Sequence, residues 1–536
     1  MYLKNLRGDI FGGVTAAVVA LPLALAFGVA SGLGPIAGLY SAIAVGFFAA
    51  IFGGTPSQVS GPTGPMTVVM AAVVALHADR LETAFLIVFL GGLIQMGFGA
   101  LGIGRYVSYT PYSVISGFMS GIGIIIILIQ VLPFFGLPSV SGGPVAAIQS
   151  FPNIAQLANA DATIIAALAL AIMIIWPRRL QLIAPPPLIA LVVCTALSAT
   201  VFINAPVIGN VPTGLPSFHV PLARTMDIVS VIQPAFVLAL LGTIDSLLTS
   251  LVADSITRTH HNSNRELIGQ GLGNMAAGLL GALPGAGATM RTVVNVRAGG
   301  RTPLSGAIHA LVLLALVLGL GPLTEQIPLA ALSGILMKVG WDIIDWGHLK
   351  RVRRAPREKI IVMFVTLGLT VFVDLLTAVA VGLILAGFVT ARWMEKEELA
   401  GITALALNDD DTLSLEERNA LEKYSDTILI ISLKGRFSYA SARELTKRVG
   451  IMCTGYKAVI LDFSDAARVD TSAAMSIEEF VQAMKEQGIV VVISALSGYA
   501  ADTLESLGVL ELLNPDDIVA TKLNAISHAA ARLDEL

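Results

Sequence analysis

Apolar residues run through the first 393 positions in long blocks separated by short polar or Gly/Pro-rich breaks. Blocks of spanning length, about 20 residues, fall near 10–30, 34–54, 83–102, 110–133, 162–177, 185–203, 232–252, 267–283, 302–320, 325–345, 358–375 and 376–393. Polar residues such as Asp342 and Asp374 intrude on the last three. Two shorter blocks, 62–76 and 287–297, open from Gly61-Pro-Thr-Gly-Pro-Met-Thr-Val-Val69 and Gly285-Ala-Gly-Ala-Thr-Met-Arg-Thr-Val-Val294. Aligned on Thr67-Val68-Val69 and Thr292-Val293-Val294, each is a break leading into an apolar run too short to cross a bilayer alone. The pattern predicts fourteen segments, seven plus seven, with the broken ones third and tenth. An odd number per half forces the halves into opposite orientations. Interrupted segments at matching places in two halves point to an inverted-repeat transporter with its site where the half-helices start. Free N–H groups and positive dipole ends there can hold an anion.

Beyond Arg392 the pattern changes. Residues 395–424 are charged and read as a linker with a short helix. From about Ser425, strand-like runs at 427–433, 458–463 and 489–494 alternate with helical runs at 440–449, 472–487 and 500–507. That alternation predicts a small soluble α/β domain. The expected division is a transport domain at 1–394 (repeats about 10–203 and 232–393), a linker at 395–424 and the α/β domain at 425–536.

Composition supports this class. The chain is 55% hydrophobic and 13% charged, with a mean hydropathy of +0.80, whereas soluble proteins carry roughly 25% charged residues. The net charge of −4 says little, because the charge is unevenly spread. With the N-terminus inside, cytoplasmic loops hold Lys4, Arg7, Arg105, Arg178, Arg179, Arg258, Arg265, Arg297, Arg301 and a cluster from Lys350 to Lys359. The other side holds mainly Arg80 and Arg224. The positive-inside bias puts both termini in the cytoplasm. The first apolar run simply continues from Ile10 to Ala30, which is not the pattern of a cleavable signal. Cys194, in an apolar run, and Cys453, in the soluble tail, cannot sensibly pair and suit a bacterial inner membrane. Hydrolase motifs, P-loops and CxxC pairs are absent from the sequence, so no enzyme activity, organic cofactor or nucleic-acid partner is expected. His260-His261 with Asp254 read as a solvated loop rather than a metal site.

Asp245 lies inside the apolar stretch 236–249. A carboxylate at membrane depth costs at least ~2.5 kcal/mol and needs a partner or a purpose. Thr249, four residues on, shares its helix face. Carboxylate, hydroxyl and carbonyl oxygens are hard ligands that suit Na⁺, and a protonatable carboxylate alone suits H⁺. The structural alternative is a cap or an ion pair for Asp245. Thr63, Ala288 and Thr289 sit where the half-helices begin and can donate hydroxyl and amide hydrogens to an anion; ordinary N-capping is the alternative. Arg291 faces the anion, pairs with an acid such as Asp245, or snorkels toward the cytoplasm.

These residues resemble the sulfate permease (SulP) family over nearly the whole chain. The most specific stretches are 207–216, 249–255, 264–274 and 295–302. The resemblance implies a fourteen-segment helical inverted repeat with core and gate domains, a cytoplasmic STAS domain and a homodimer. Residues 7–17, 52–56, 62–69, 111–121 and 342–346 are similar to the cyanobacterial Na⁺-dependent bicarbonate transporters within that family. That similarity implies Na⁺ binding at Asp245 and Thr249 with help from Ala288 and Thr289, and bicarbonate contact at Thr63, Ala288 and Thr289. Arg291 follows the wider family's pattern rather than that group's. A fixed charge there would favour a doubly charged anion, so H⁺-coupled symport of sulfate or a dicarboxylate stands beside Na⁺-coupled bicarbonate symport. A membrane sensor with the STAS domain as output is a third reading. Residues 461–472 resemble the STAS signature. In soluble relatives a Ser or Thr there is phosphorylated, which makes Thr471 and Ser472 a candidate regulatory site; helix capping by Asp470 or Thr471 is the plainer reading.

Overall fold

The computed structural model describes residues 5–105, 111–140, 143–177, 180, 184–209, 218–219, 228–405 and 413–535. Lys4, Arg178, Arg179 and Arg224 of the charge pattern, and 210–216 of the motif at 207–216, lie outside them. The chain divides into two compact units, Met1–Ala386 and Gly387–Leu536.

In the first unit the chain begins with helix α1 (Leu6–Ala30), α2 (Pro35–Phe52), strand β1 (Ser60–Gly61), α3 (Gly64–Leu76), α4 (Leu81–Ala100) and α5 (Tyr112–Phe134). Then follow α6 (Gly143–Ser150), α7 (Ile154–Leu157), α8 (Ala160–Ile175) and α9 (Pro186–Thr200). The second half has α10 (Ile228–Thr257), α11 (Ser263–Leu279), β2 (Ala286–Gly287), α12 (Thr289–Arg297), α13 (Pro303–Thr324) and α14 (Leu329–Ile343). It closes with α15 (Trp346–Arg351), α16 (Arg357–Phe372) and α17 (Leu375–Ala400). Every expected segment is a helix. The short α6, α7 and α15 lie in connections. Proline at the first turns of α2, α3, α9 and α13 presets the backbone where no intrahelical N–H bond is lost. Helices α8 and α9 have 16 and 15 residues, about 24 Å of helix against a hydrocarbon core of about 30 Å. Helix α9 is shorter than the expected block at 185–203, while α8 matches the length of the block at 162–177.

The helix packing repeats with an offset of seven segments. Helix α2 packs on α13 as α11 packs on α4, and α1 on α13 as α10 on α4. Likewise α1 meets α12 as α10 meets α3, and α5 meets α16 as α14 meets α8. The contacts α2–α11 and α5–α14 are each their own counterpart. Exchanging the halves therefore maps these principal contacts onto one another. Two bundles result: α1–α4 with α10–α13, and α5 with α8, α14 and α16, with α9 packed on α8 and α14. They meet chiefly where α1 touches α9 and α14, and α3 touches α5.

Close backbone approach sets the α4–α11 seam. A Cβ on Gly92 would stand 2.6 Å from the Gly271 oxygen, and one on Gly271 would stand 2.6 Å from the Gly92 oxygen. Small residues that let backbones touch are the usual means of helix association without a hydrophobic drive.

The second unit runs β3 (Ile402–Leu405), α18 (Leu415–Glu422), β4 (Ile428–Leu433), β5 (Gly435–Phe437), α19 (Ala442–Met452), β6 (Ala458–Asp462) and β7 (Ala466–Val469). It continues with α20 (Thr471–Glu486), β8 (Val490–Ser494), α21 (Gly498–Ser506), β9 (Ile518–Val519) and α22 (Lys522–Asp534). The main sheet has the order β3-β4-β6-β8-β9, parallel except for the β3–β4 edge. Alternate residues of β4 face opposite sides: Leu429 and Ile431 pack with Phe437, Phe463 and Phe480, and Ile428 and Ile430 pack with Leu421 and Ile526. The stretch 395–424 holds the expected short helix as α18 but also supplies strand β3, and Ile402, Leu405, Leu413 and Leu421 are buried. Its apolar residues are sparse, and β3 exists only by pairing with β4.

Two predictions follow from the packing. Gly271→Ala should lower stability by about 1–3 kcal/mol through overpacking. Gly97→Ala, where nothing lies within 4 Å, should be neutral; thermal unfolding of the purified protein reads both. Burial pushes the Cys453 thiol up to about 12, leaving on the order of 10⁻⁴ as thiolate at pH 8. Cys194 is fully buried. Maleimide at pH 8 should label neither cysteine before denaturation, as counted by mass spectrometry.

Candidate functional site

The breaks before the two half-helices are strands, and they pair. Strands β1 and β2 run antiparallel, with Ser60 opposite Gly287 and Gly61 opposite Ala286. The Ala288 amide extends the pairing by donating to the Val59 oxygen at 2.9 Å. From this crossing α3 and α12 depart. The first-turn amides of each, Gly64 and Met66 in one and Thr289, Met290 and Arg291 in the other, have no intrahelical acceptor.

Helix α10 passes beside this crossing. Thr249 Oγ1 donates to the Gly287 oxygen at 3.0 Å and lies 2.8 Å from Thr289 Oγ1. Ser246 Oγ accepts from the Gly287 amide at 3.1 Å. Asp245, one turn before Thr249 on the same face, is 9% exposed, and its Oδ2 is buried without a hydrogen-bond partner. Because α10 is continuous through Asp245, the carboxylate caps no helix break. Thr63 is the residue before α3, yet its side chain makes no capping bond; its buried Oγ1 stands by the Asp245 carboxylate without a well-formed hydrogen bond. Thr63 therefore does not act as an ordinary N-cap.

Arg291 is 2% exposed, so it does not snorkel. Its guanidinium donates to the Pro62 oxygen at the start of the opposite half-helix, and its Nη1 is buried without a partner. It forms no ion pair with Asp245, although its charge acts on that carboxylate. Arg291 thus bridges the starts of both half-helices. The structure brings Thr63, Asp245, Thr249, Ala288, Thr289 and Arg291 to one crossing. Thr289 and Met290 are exposed, so the crossing has an open side.

Thr471 and Ser472 belong to the other unit, in the first turn of α20, with both side chains exposed. The cap there is Asp470, which accepts from the Ala473 amide at 2.9 Å and the Tyr439 amide at 2.8 Å. His261 is held rather than solvated: Nδ1 lies 2.7 Å from Asp254, and Nε2 lies 2.9 Å from Ser263. No cluster able to hold a metal by His, Cys, Asp or Glu occurs among the described residues.

A buried polar network behind the crossing escaped the sequence reading. Glu266, 1% exposed, accepts from the Gly54 and Thr55 amides at 2.9 Å and from Gln58 and Gln270 at 2.8 Å. Gln270 donates to Ser60 Oγ. Asn274 holds Gly285 by donating to its oxygen and accepting from its amide. Glu266, Gln270 and Asn274 recur every four residues along one face of α11. That spacing is visible in the sequence and is the signal that could have found them.

A model of the sulfate permease family matches residues 6–366, and one of the STAS domain matches 420–523. The chain is 42% identical over 99% of its length to the bicarbonate transporter BicA of Synechocystis, covering 96% of that protein. It is 33% identical over 72% of its length to the putative sulfate transporter YvdB of Bacillus subtilis, covering 73% of it. The solved transmembrane domain of a cyanobacterial bicarbonate transporter BicA superposes with a TM-score of 0.67 at 51% identity, over 71% of this chain and 98% of that one. The murine anion transporter Slc26a9 shares the fold over 99% of this chain and 92% of its own, with a TM-score of 0.82 at 19% identity. With its half-helices crossing between two inverted halves and a STAS domain following in the chain, this chain belongs to the sulfate permease family of multi-pass membrane transporters.

Proposed function

We propose that the chain is a secondary active transporter that carries bicarbonate into the cell together with Na⁺. The observation that carries the reading is the unpartnered Asp245 Oδ2, buried one helical turn before Thr249, whose hydroxyl meets the Gly287 carbonyl and the Thr289 hydroxyl. These are hard oxygen donors on elements already tied together, and they suit Na⁺ better than a transition metal. The anion is assigned to the first-turn amides of α3 and α12, with Thr63, Ala288 and Thr289. Na⁺ at Asp245 offsets the cost of bringing negative charge to membrane depth, which couples the two without covalent chemistry. Transport then consists of the site-bearing bundle moving past the bundle of α5, α8, α14 and α16. The relatives named as bicarbonate transporters support the choice of anion. An inner-membrane location, cytoplasmic termini and a homodimer belong to the same proposal, as does a regulatory role for Thr471 and Ser472.

The unpartnered Nη1 of Arg291 favours a second reading, H⁺-coupled symport of sulfate or a dicarboxylate, in which Asp245 carries the proton and Arg291 neutralises the second charge.

Uptake of radiolabelled bicarbonate and sulfate into proteoliposomes, with and without an inward Na⁺ gradient, separates the readings. Bicarbonate uptake that requires Na⁺ is expected. Asp245→Ala should abolish it, and Thr249→Val should raise the Na⁺ requirement by about tenfold, the loss of ~1.4 kcal/mol of binding. Sulfate uptake driven by a pH gradient and indifferent to Na⁺ would establish the second reading instead.

A further inference from the structure

A second concentration of unpaired positive charge lies away from the crossing, at the end of α10. There Arg258 and Arg301 line one cavity of about 260 Å³ together with Ser57, Thr257 and Thr259. The cavity is smaller than the usual small-molecule pocket of roughly 300–1,000 Å³, so it suits one compact headgroup. Neither guanidinium has a carboxylate within salt-bridge distance among the described residues. Two acids stand nearby and both are engaged elsewhere: Asp254 by His261 and by Thr259 at 3.2 Å, and Asp9 by the Arg301 and Thr302 amides and the Thr302 hydroxyl at 2.8–3.0 Å. Thr257 Oγ1 donates to the Ala253 oxygen and lies 2.7 Å from Thr259 Oγ1. The threonine hydroxyls are thus held within the protein, and recognition of charge falls to the two arginines.

The helix ending places one of them. Arg258 follows the last residue of α10 with a φ of 56°, and its amide donates to the Asp254 oxygen at 2.7 Å. That is the common left-handed helix ending, and it turns the chain so that Arg258 lines the cavity.

We propose that this cavity binds a doubly charged tetrahedral oxyanion of the phosphate or phosphate-monoester class. Two arginines, both exposed and with no carboxylate paired to either side chain among the described residues, line one small cavity and concentrate positive charge at its wall. An occupant with two negative charges balances that charge, and planar guanidinium forks match phosphate oxygens two at a time. The three lining segments are extensions of the elements that build the crossing. Arg258 and the threonines stand at the end of α10, Ser57 precedes β1, and Arg301 joins α12 to α13. A bound oxyanion ties these ends together.

The test is thermal unfolding of the full-length protein in nanodiscs. In phosphatidylcholine discs, inorganic phosphate is compared with chloride at equal ionic strength. In a second arm, discs containing phosphatidic acid are compared with discs lacking it. A midpoint rise of roughly 2–4 °C is expected in at least one arm. A rise in the first arm identifies a free ion and a rise only in the second a lipid headgroup. Arg258→Gln with Arg301→Gln should remove the rise while leaving bicarbonate uptake within about twofold of the parent. The double Arg→Lys variant, which keeps the charge and guards against misfolding, should retain part of the rise. Thr289→Val, altered at the crossing, should retain all of it. No rise in either arm overturns the proposal. So does a rise that survives the double Gln variant, or one lost in Thr289→Val.

Discussion

A chain that breaks its helices at membrane depth must still satisfy every backbone polar group, because hydrocarbon offers no water to do so and each orphan costs several kcal/mol. The β1–β2 pairing is how this chain meets that demand. Ser60–Gly61 from one half and Ala286–Gly287 from the other exchange their bonds across the break. Side chains close what the strands leave open. Asn274 takes both polar groups of Gly285, Ser246 takes the Gly287 amide and Thr249 the Gly287 carbonyl. Thr292 accepts from the Val59 amide at 3.0 Å. Two half-helices can therefore start at one point, with their unsatisfied first turns directed to the same place.

That pairing also ties the two halves into one body. It joins the halves of the inverted repeat within the bundle of α1–α4 and α10–α13, and the Glu266 network braces it from behind. The four donors around Glu266 come from the loop at 54–58 and from α11. A carboxylate taken out of water is tolerable only with such complete hydrogen bonding. Asp245 contrasts with it: equally deep, but with one oxygen left unpartnered. Two buried acids in one bundle thus differ in kind: one is fully hydrogen-bonded and one is not. The second bundle touches the first at few places, which permits relative motion without breaking the crossing.

The segment count, the two breaks and the alternation of strand and helix after Ser425 were legible because hydropathy period and length decide them. Asp245 with Thr249 was legible for the same reason: a charge inside an apolar helix is conspicuous, and a spacing of four places two side chains on one face. The tertiary structure alone decided that the breaks are strands paired to each other, since Ser60 and Gly287 lie 227 positions apart and nothing local marks either as β. It decided that Arg291 turns inward to Pro62, that Thr63 leaves its helix uncapped and that residues 402–405 join a sheet. In each case the partner is distant in the chain, and the choice follows from which polar group has no other way to be satisfied.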